Sequence, residues 1–286
     1  MMKKNKALGL LLKDRNFLIG AVIIVITLFI TIFAQQIVPY NPGKVAPHDR
    51  LMPPFWSSDT NAFHFLGTDS VGRDLLSRIF IGIKNSMVIG IFSIAVAILI
   101  GAVVGLLSGL SYPGFIDSLL MRITDIQMGF PFVLLAIIIL SLVDPTVVTI
   151  ILVLSLSAWP AYARVIRSGV IIEKEMDYVA AAKIMGASRL RIAFKYLGKN
   201  LVPAILPVAP MDLASIVIAE SLLSFMNLGI QPPGISLGNI MADGWKYIAT
   251  QWWITASPGI VIFIIVLGLN LMADAMQAVS GKRQKE

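Results

Sequence analysis

Asp212 and Glu220 lie eight residues apart within an apolar run at 203–225, where ionisable groups are expected to do chemistry or make a specific contact. A charged side chain at mid-depth in a bilayer costs about 2.5–3.5 kcal/mol on insertion scales, so such groups avoid lipid. Their spacing puts them on adjoining faces of a helix, about two turns apart. Two readings fit: both line a polar pathway for a solute, or Asp212 pairs with a neighbouring helix while Glu220 snorkels or caps near the outer end of the run. Catalysis fits neither, because no nucleophile, base and orienting group can be assembled around them. Cysteine is absent, which excludes disulfides and Cys metal sites. His48 and His64 are the two imidazoles and have no metal-ligand spacing, so no metal is expected.

The second constellation is a basic island, residues 164–200, between two apolar runs. Asp177 is placed to cap a helix whose N-terminal end is also favoured by Glu173 and Glu175. Residues 178–185 are Ala-rich without Gly or Pro, and Gly186 stops them in the left-handed cap position. Tyr178, Ala181, Ala182 and Met185 recur at i, i+3, i+4 and i+7 and predict one docking face with small residues at its middle. Ser188 is placed to cap a second short helix over 189–196. There Arg189, Arg191, Lys195 and Lys199 lie outside the apolar Leu190, Ile192, Phe194 and Leu197. The island reads as a helix–turn–helix laid against a membrane.

The third constellation, residues 64–78 (HFLGTDSVGRDLLSR), is glycine-bearing but lacks GK[ST]. Gly67 and Gly72 are expected to set turns, Asp69 to cap locally and Asp74 to start a helix, with contact to a solute or partner as the other reading. No GxxxxGK[ST] occurs anywhere, so the chain has no phosphate loop for ATP.

These groups must be positioned by membrane helices. The chain is 57% hydrophobic with a mean hydropathy of +0.84, and its charged fraction of 14% lies well below the ~25% of soluble domains. An all-α polytopic membrane protein with six transmembrane helices is predicted. The first span, 17–38, is a retained one rather than a cleaved signal peptide, since its apolar run is long and no A-x-A site follows. An outer segment covers 39–86, and a five-span core covers 87–275. Within the core the second span is 87–110, with Gly101, Gly105 and Gly109 at close-packing spacing. The third is 117–143, kinked at Pro131, with Arg122 and Asp125 able to pair. The fourth is 146–162, the fifth 203–225 and the sixth 254–275, followed by a tail at 276–286. A second outer segment, 227–253, carries Trp245, Trp252 and Trp253 as an aromatic belt or a docking surface.

Charge agrees with this topology. Five Lys/Arg lie in residues 1–16, eight in 164–199 and three in the tail, placing both termini and the island in the cytoplasm. The net charge of +7 is thereby accounted for by topology, without a nucleic-acid partner.

The motifs together resemble the C-type permease subunit of bacterial ATP-binding-cassette importers for dipeptides, oligopeptides and nickel. The family's D-Y-V-E-A-A-x-x-x-G-A-S loop is similar to 177–188 (DYVAAAKIMGAS), and L-G-T-D-x-x-G-R-D-x-x-S-R is met by 66–78. M-R-x-x-D-x-x-x-x-F-P is met by 121–131, and E-(A/S)-x-L-S-F-x-x-L-G-(V/I)-Q-P-P by 220–233. The resemblance covers about residues 14–274. It implies a multi-pass protein of the bacterial cytoplasmic membrane that pairs with a second, related permease as a heterodimer. It also implies two cytoplasmic ATPase subunits that bind ATP and Mg, and an extracytoplasmic solute-binding protein. A cytoplasmic coupling helix between spans four and five then carries Asp177, Tyr178, Ala181, Ala182, Met185 and Gly186 to the ATPase, and Asp212 and Glu220 belong to the pathway. Peptide is the commonest cargo of that family, with a nickel or other metal chelate as the alternative. Three departures stand out: Ala180 replaces the first Glu of the loop motif, Leu197-Gly198-Lys199 replaces Ile-Leu-Pro, and 270–277 (NLMADAMQ) lacks the usual glycines. Docking through shape rather than through a carboxylate is expected. A secondary transporter or channel subunit working without an ATPase is the reading from another class. It would call for internal inverted repeats, which are not evident.

Overall fold

A computed structural model describes residues 9–57, 63–188 and 191–283, without the side chains of 56, 57, 194, 199, 200 and 280–283. The expectations for Lys3, Lys4, Lys6, Arg189, Leu190 and Lys285, and for the side chains of Phe194, Lys199, Lys282 and Arg283, lie outside the described residues. Among the described residues the regular structure is helical apart from a two-stranded hairpin. Helix α1 (Arg15–Ile37) starts at Asp14, whose carboxylate accepts from the Phe17 N–H at 3.0 Å. The hairpin β1 (Trp56–Ser57) and β2 (Phe63–His64) is antiparallel with Trp56 opposite His64. Helix α2 (Leu75–Leu110) starts at Asp74, which accepts from the Ser77 N–H at 2.8 Å. Its 36 residues begin well before the expected span at 87, because Leu75, Ile79 and Ile83 bury their side chains and so carry helix through the polar lead-in.

Three expected spans take a different form. The third is two helices, α3 (Phe115–Gly129) and α4 (Phe132–Leu142), meeting at 89° rather than at a simple kink. Phe130 and Pro131 between them are extended, the conformation imposed before and at a proline that cannot continue the ladder. The fourth, α5 (Val147–Glu173), runs past 162 and takes the first ten residues of the basic island into the helix. Two of its basic residues find acidic partners there. Arg164 pairs with Asp125 at 2.6 Å, and Arg167 with Asp117 at 2.6 and 2.8 Å, both carboxylates standing on α3. Asp125 therefore pairs across helices and not with Arg122.

The island continues as α6 (Asp177–Ile184); Ser188 Oγ then accepts from the Arg191 N–H at 3.3 Å, as the expected cap of a second helix, and that helix is a π-helical stretch (Ile192–Leu197) running without a stop into α7 (Gly198–Ile205). The expected fifth span breaks between α7 and α8 (Ala209–Phe225), where Pro207 and Pro210 remove two ladder donors. Helix α9 (Leu237–Trp245), opened by a Ser236–Asn239 capping box, lies in the second loop, and α10 (Trp253–Arg283) closes the chain. Among the described residues, α1, α2, α5 and α10 are long and apolar enough to cross a membrane, and α3–α4 makes a fifth if the bent pair is one span. Four or five candidate spans thus stand beside the expected six, and α8, at 17 residues, falls below the length of a span by itself.

The largest helix contact is α2 against α5, built on the glycine stripe. A Cβ on Gly105 would stand 2.6 Å from the Ala163 carbonyl oxygen and 2.8 Å from Ile166 Cβ. No side chain fits without separating the helices. Gly105→Leu is expected to cost about 1–3 kcal/mol or more, the range for overpacking, and thermal unfolding in detergent should show a clear fall in Tm. A second cluster joins α1, α2, α8, α9 and α10 through Ile24, Leu75, Met87, Val217, Leu237 and Leu269. A third, with Leu106, Ile166, Val170, Ile192, Leu197 and Leu201, provides the seat for α6.

Candidate functional site

Helix α6 is short, eight residues, and its inner side holds it in place. Val179, packed in the third cluster, and Ala182 are fully buried, and the Tyr178 hydroxyl donates to the Glu173 carboxylate at the end of α5. Gly186 adopts φ +79°, its N–H reaches the Lys183 carbonyl at 3.0 Å, and the Ala187 N–H reaches the Ala182 carbonyl at 3.0 Å. Those two bonds are the Schellman arrangement, which closes the helix C-terminus and fixes the direction in which the chain leaves it.

Two expectations about α6 change. Asp177 is not the cap: Met176 holds that position in extended conformation, and Asp177 is the first helical residue with no side-chain bond to the helix end. Its charge still lies in the first turn, where the helix dipole favours it. Nor do Tyr178, Ala181, Ala182 and Met185 form one outward face. Ala182 points inward and Tyr178 is half-buried, because Val179 and Ala182 claim the inner side. The outward side is Ala180, Ala181, Ile184 and Met185, with Ile184 87% and Met185 74% exposed. Ile184, next to a residue of the i, i+3, i+4, i+7 set, was the residue missed. Ala180, where the resembled family carries Glu, is part of this small apolar surface.

Asp212 and Glu220 both stand on α8 but in different settings. Asp212, partly exposed in the first turn, interacts with Tyr162 of α5, although Asp212 Oδ2 and the Tyr162 hydroxyl are both buried without a hydrogen bond in good geometry. Glu220 does not snorkel. It is fully buried, with Oε2 accepting from Ser86 Oγ of α2 at 2.7 Å and Oε1 from Ser224 Oγ at 2.8 Å. In this conformation its carboxylate joins α8 to α2 rather than facing a path.

In segment 38–74 Gly67 and Gly72 take φ of +78° and +83°, in keeping with turns. Asp69 accepts from the Val71 and Arg73 N–H groups at 3.0 Å and pairs with the guanidinium groups of Arg73 (2.6 Å) and Arg78. Arg78, 4% exposed, also reaches Asp243 of α9 at 3.2 Å. Burial works against ionisation of Asp69, but the Arg78 charge, the two N–H groups and Arg73 outweigh it and hold the carboxyl below its ordinary value. The Asp243 partnership has no local signal, being 165 residues from Arg78 in sequence. Of the three tryptophans, Trp245 and Trp252 are exposed and Trp253 is buried.

Comparison with known proteins gives the same architecture. Residues 101–286 match the family described as binding-protein-dependent transport system inner membrane component, and residues 6–54 match the N-terminal TM domain of oligopeptide transport permease C. The chain is 33% identical over 264 residues to the di/tripeptide transport system permease protein DppC of Pseudomonas aeruginosa, spanning 92% of this chain and 87% of that one. It is 34% identical over 258 residues to the probable D,D-dipeptide transport system permease protein DdpC of Escherichia coli, spanning 90% and 84%. The MetNI methionine ABC transporter in an inward-facing form shares the fold, with a TM-score of 0.56 at 20% identity over 72% of this chain and 96% of that one. With the family matches covering the apolar core and the N-terminal span, the chain belongs to the inner-membrane permeases of binding-protein-dependent ABC transport systems, as an oligopeptide permease C type subunit.

Proposed function

We propose that this chain forms half of the translocation pathway of an ATP-driven importer for di- or oligopeptides, and that α6 is the part on which an ATPase subunit docks. The chain is a permease and not itself an ATPase; ATP is bound by partner subunits. The observation that carries the docking reading is the two-sidedness of α6. Val179 and Ala182 fasten it to the membrane core, while Ile184 and Met185 present apolar side chains with nothing over them among the described residues. A helix that is locked on one side and bare on the other transmits force well, because a partner that grips it moves the helices behind it as a body.

The rest of the assembly follows from that reading. A second, related permease supplies the other half of the pathway, two ATPase subunits sit in the cytoplasm, and an extracytoplasmic solute-binding protein delivers the cargo. Both termini and α6 are cytoplasmic, as the Lys/Arg distribution favours. Asp212 lies at the edge of the pathway, and Glu220 holds one of its walls. Peptide cargo is supported by peptide-transport relatives at 33–34% identity, and a nickel chelate has no comparable support.

The test is purification from host membranes through a tag on this chain. A second permease and two ATPase subunits are expected to co-purify, and reconstituted vesicles with the binding protein should take up radiolabelled dipeptide only with ATP inside the ATPase compartment. A lone chain that transports without ATP would overturn the reading.

A further inference from the structure

The base of α5 is tied to the α2–α3 turn by a cluster that neither the sequence motifs nor the docking reading uses. Arg167 makes two parallel bonds to Asp117, through Nε at 2.6 Å and Nη2 at 2.8 Å, and its guanidinium lies 5.1 Å from the centre of the Tyr112 ring. Asp117 is buried and also accepts from Ser108 Oγ in the last turn of α2. Two turns further on, Lys174 donates to the Tyr112 carbonyl at 2.7 Å and the Gly109 carbonyl at 3.3 Å. Two parallel N–H···O bonds fix orientation as well as distance, which a single lysine contact does not.

Position gives this cluster its meaning. Lys174 stands three residues before α6, and Glu173 beside it receives the Tyr178 hydroxyl from α6. The linker between α5 and α6 is therefore braced on both sides, to α6 by Glu173 and to the α2–α3 turn by Lys174 and Arg167. The neighbouring Arg164–Asp125 pair joins the same two helices but is exposed on both sides, 47% and 59%, where an ion pair contributes little. It serves as an internal control.

We infer that Arg167, with Asp117 and Lys174, is a positioning residue that carries the displacement of α6 to the α2–α3 turn, so that the ends of α2, α3 and α5 move with the docked ATPase. The inference rests on α6 being the docking helix. Without the clasp, a push on α6 bends the end of α5 and is not passed on. ATP is then hydrolysed with fewer cargo molecules moved.

The experiment compares wild type, Arg167→Ala, Arg167→Lys and Arg164→Ala as complete complexes in proteoliposomes, measuring ATP hydrolysed and radiolabelled dipeptide imported in the same vesicles. Arg167→Ala is expected to retain its ATPase subunits and to raise the ATP used per peptide by roughly 2- to 30-fold, the range in which single residues modulate coupling. Arg167→Lys, which keeps the charge but loses the paired bonds, should fall between it and wild type, and Arg164→Ala should leave the ratio unchanged. An unchanged ratio in Arg167→Ala, or an equal rise in Arg164→Ala, overturns the inference. If Arg167→Ala does not assemble, Arg167→Lys decides by the same ratio, and loss of assembly there as well overturns the inference in favour of a purely structural role. Failure of the docking reading is distinguishable, since complexes carrying Ile184→Asp would then keep their ATPase subunits.

Discussion

Ile184→Asp is expected to release the ATPase subunits from the purified complex while this chain remains folded. Ile184 is 87% exposed, so the fold does not depend on its side chain. A docked partner does, since burying an isoleucine contributes about 1.5–3 kcal/mol, which corresponds to roughly 10- to 150-fold in affinity. An aspartate at the same place adds the cost of desolvating a carboxylate without a partner. Size-exclusion chromatography of the complex, with unfolding of the isolated chain as a control, reads both quantities. Retention of the ATPase by Ile184→Asp would remove α6 as the docking element. Gly186→Val probes the same element through its backbone. No atom lies within 4 Å of a Cβ at Gly186, so only its backbone conformation at φ +79° is penalised. That cost is about 1–2 kcal/mol for a residue with a Cβ in the left-handed region, and more for a β-branched one. A weaker uncoupling than that of Ile184→Asp is expected, seen as uptake falling more than ATP hydrolysis.

Arg78→Ala should unfasten segment 38–74 from the helices. Arg78 is buried and shared between Asp69 and Asp243, and Asp69 itself is fully buried. Removing one partner of a buried ion pair costs about 3–5 kcal/mol because the charge left behind is uncompensated, although Arg73 retains its contact to Asp69 and lowers that cost. Amide hydrogen exchange at Gly67, Thr68, Asp69 and Leu75 is the direct readout, since their N–H groups are all bonded within the segment. Exchange about 100-fold faster than in wild type is expected, and protection equal to wild type would show that the network contributes nothing. The same carboxylate gives a pH dependence of known sign. Its folded pKa lies below the ordinary value of 3.8, so its stabilisation is complete above that value and is lost as pH falls through the lower folded one. In Asp69→Asn this acid-induced step should vanish, on a protection level that is already reduced.

Local chemistry made several features readable. The α6 segment is Ala-rich and ends at the one residue type that adopts φ +79° without penalty, so both its helix and its stop were expected. The Gly101, Gly105 and Gly109 stripe announces close helix packing because its spacing alone puts three hydrogens in a row on one face. Asp74 as the start of α2 and the turn glycines at 67 and 72 depend on neighbours within a few residues. What escaped depends on distant partners. The extension of α5 into the island brings Arg167 and Arg164 to Asp117 and Asp125, 50 and 39 residues away. Glu220 was expected to snorkel or line a path, and it is enclosed by a serine 134 residues earlier. The α3–α4 angle of 89° and the break before α8 were visible only as prolines, which mark an interruption without giving its size.

The amino-acid sequence by itself determined that this is a helical membrane protein without a phosphate loop, that its motifs are those of an ABC permease, and that residues 177–186 form a short helix stopped at Gly186. Hydropathy, helix propensity and the glycine cap act over a few residues, so they are complete in the sequence. Only the tertiary structure decided which side of that helix is available. Val179 turns inward because the third cluster offers it a seat made from α2, α5 and α7, Ala182 is buried with it, and this leaves Ala180, Ala181, Ile184 and Met185 outward. A helix of eight residues with apolar groups on several sides has no intrinsic inner face. The face is set by what it packs against, and that is a property of the fold.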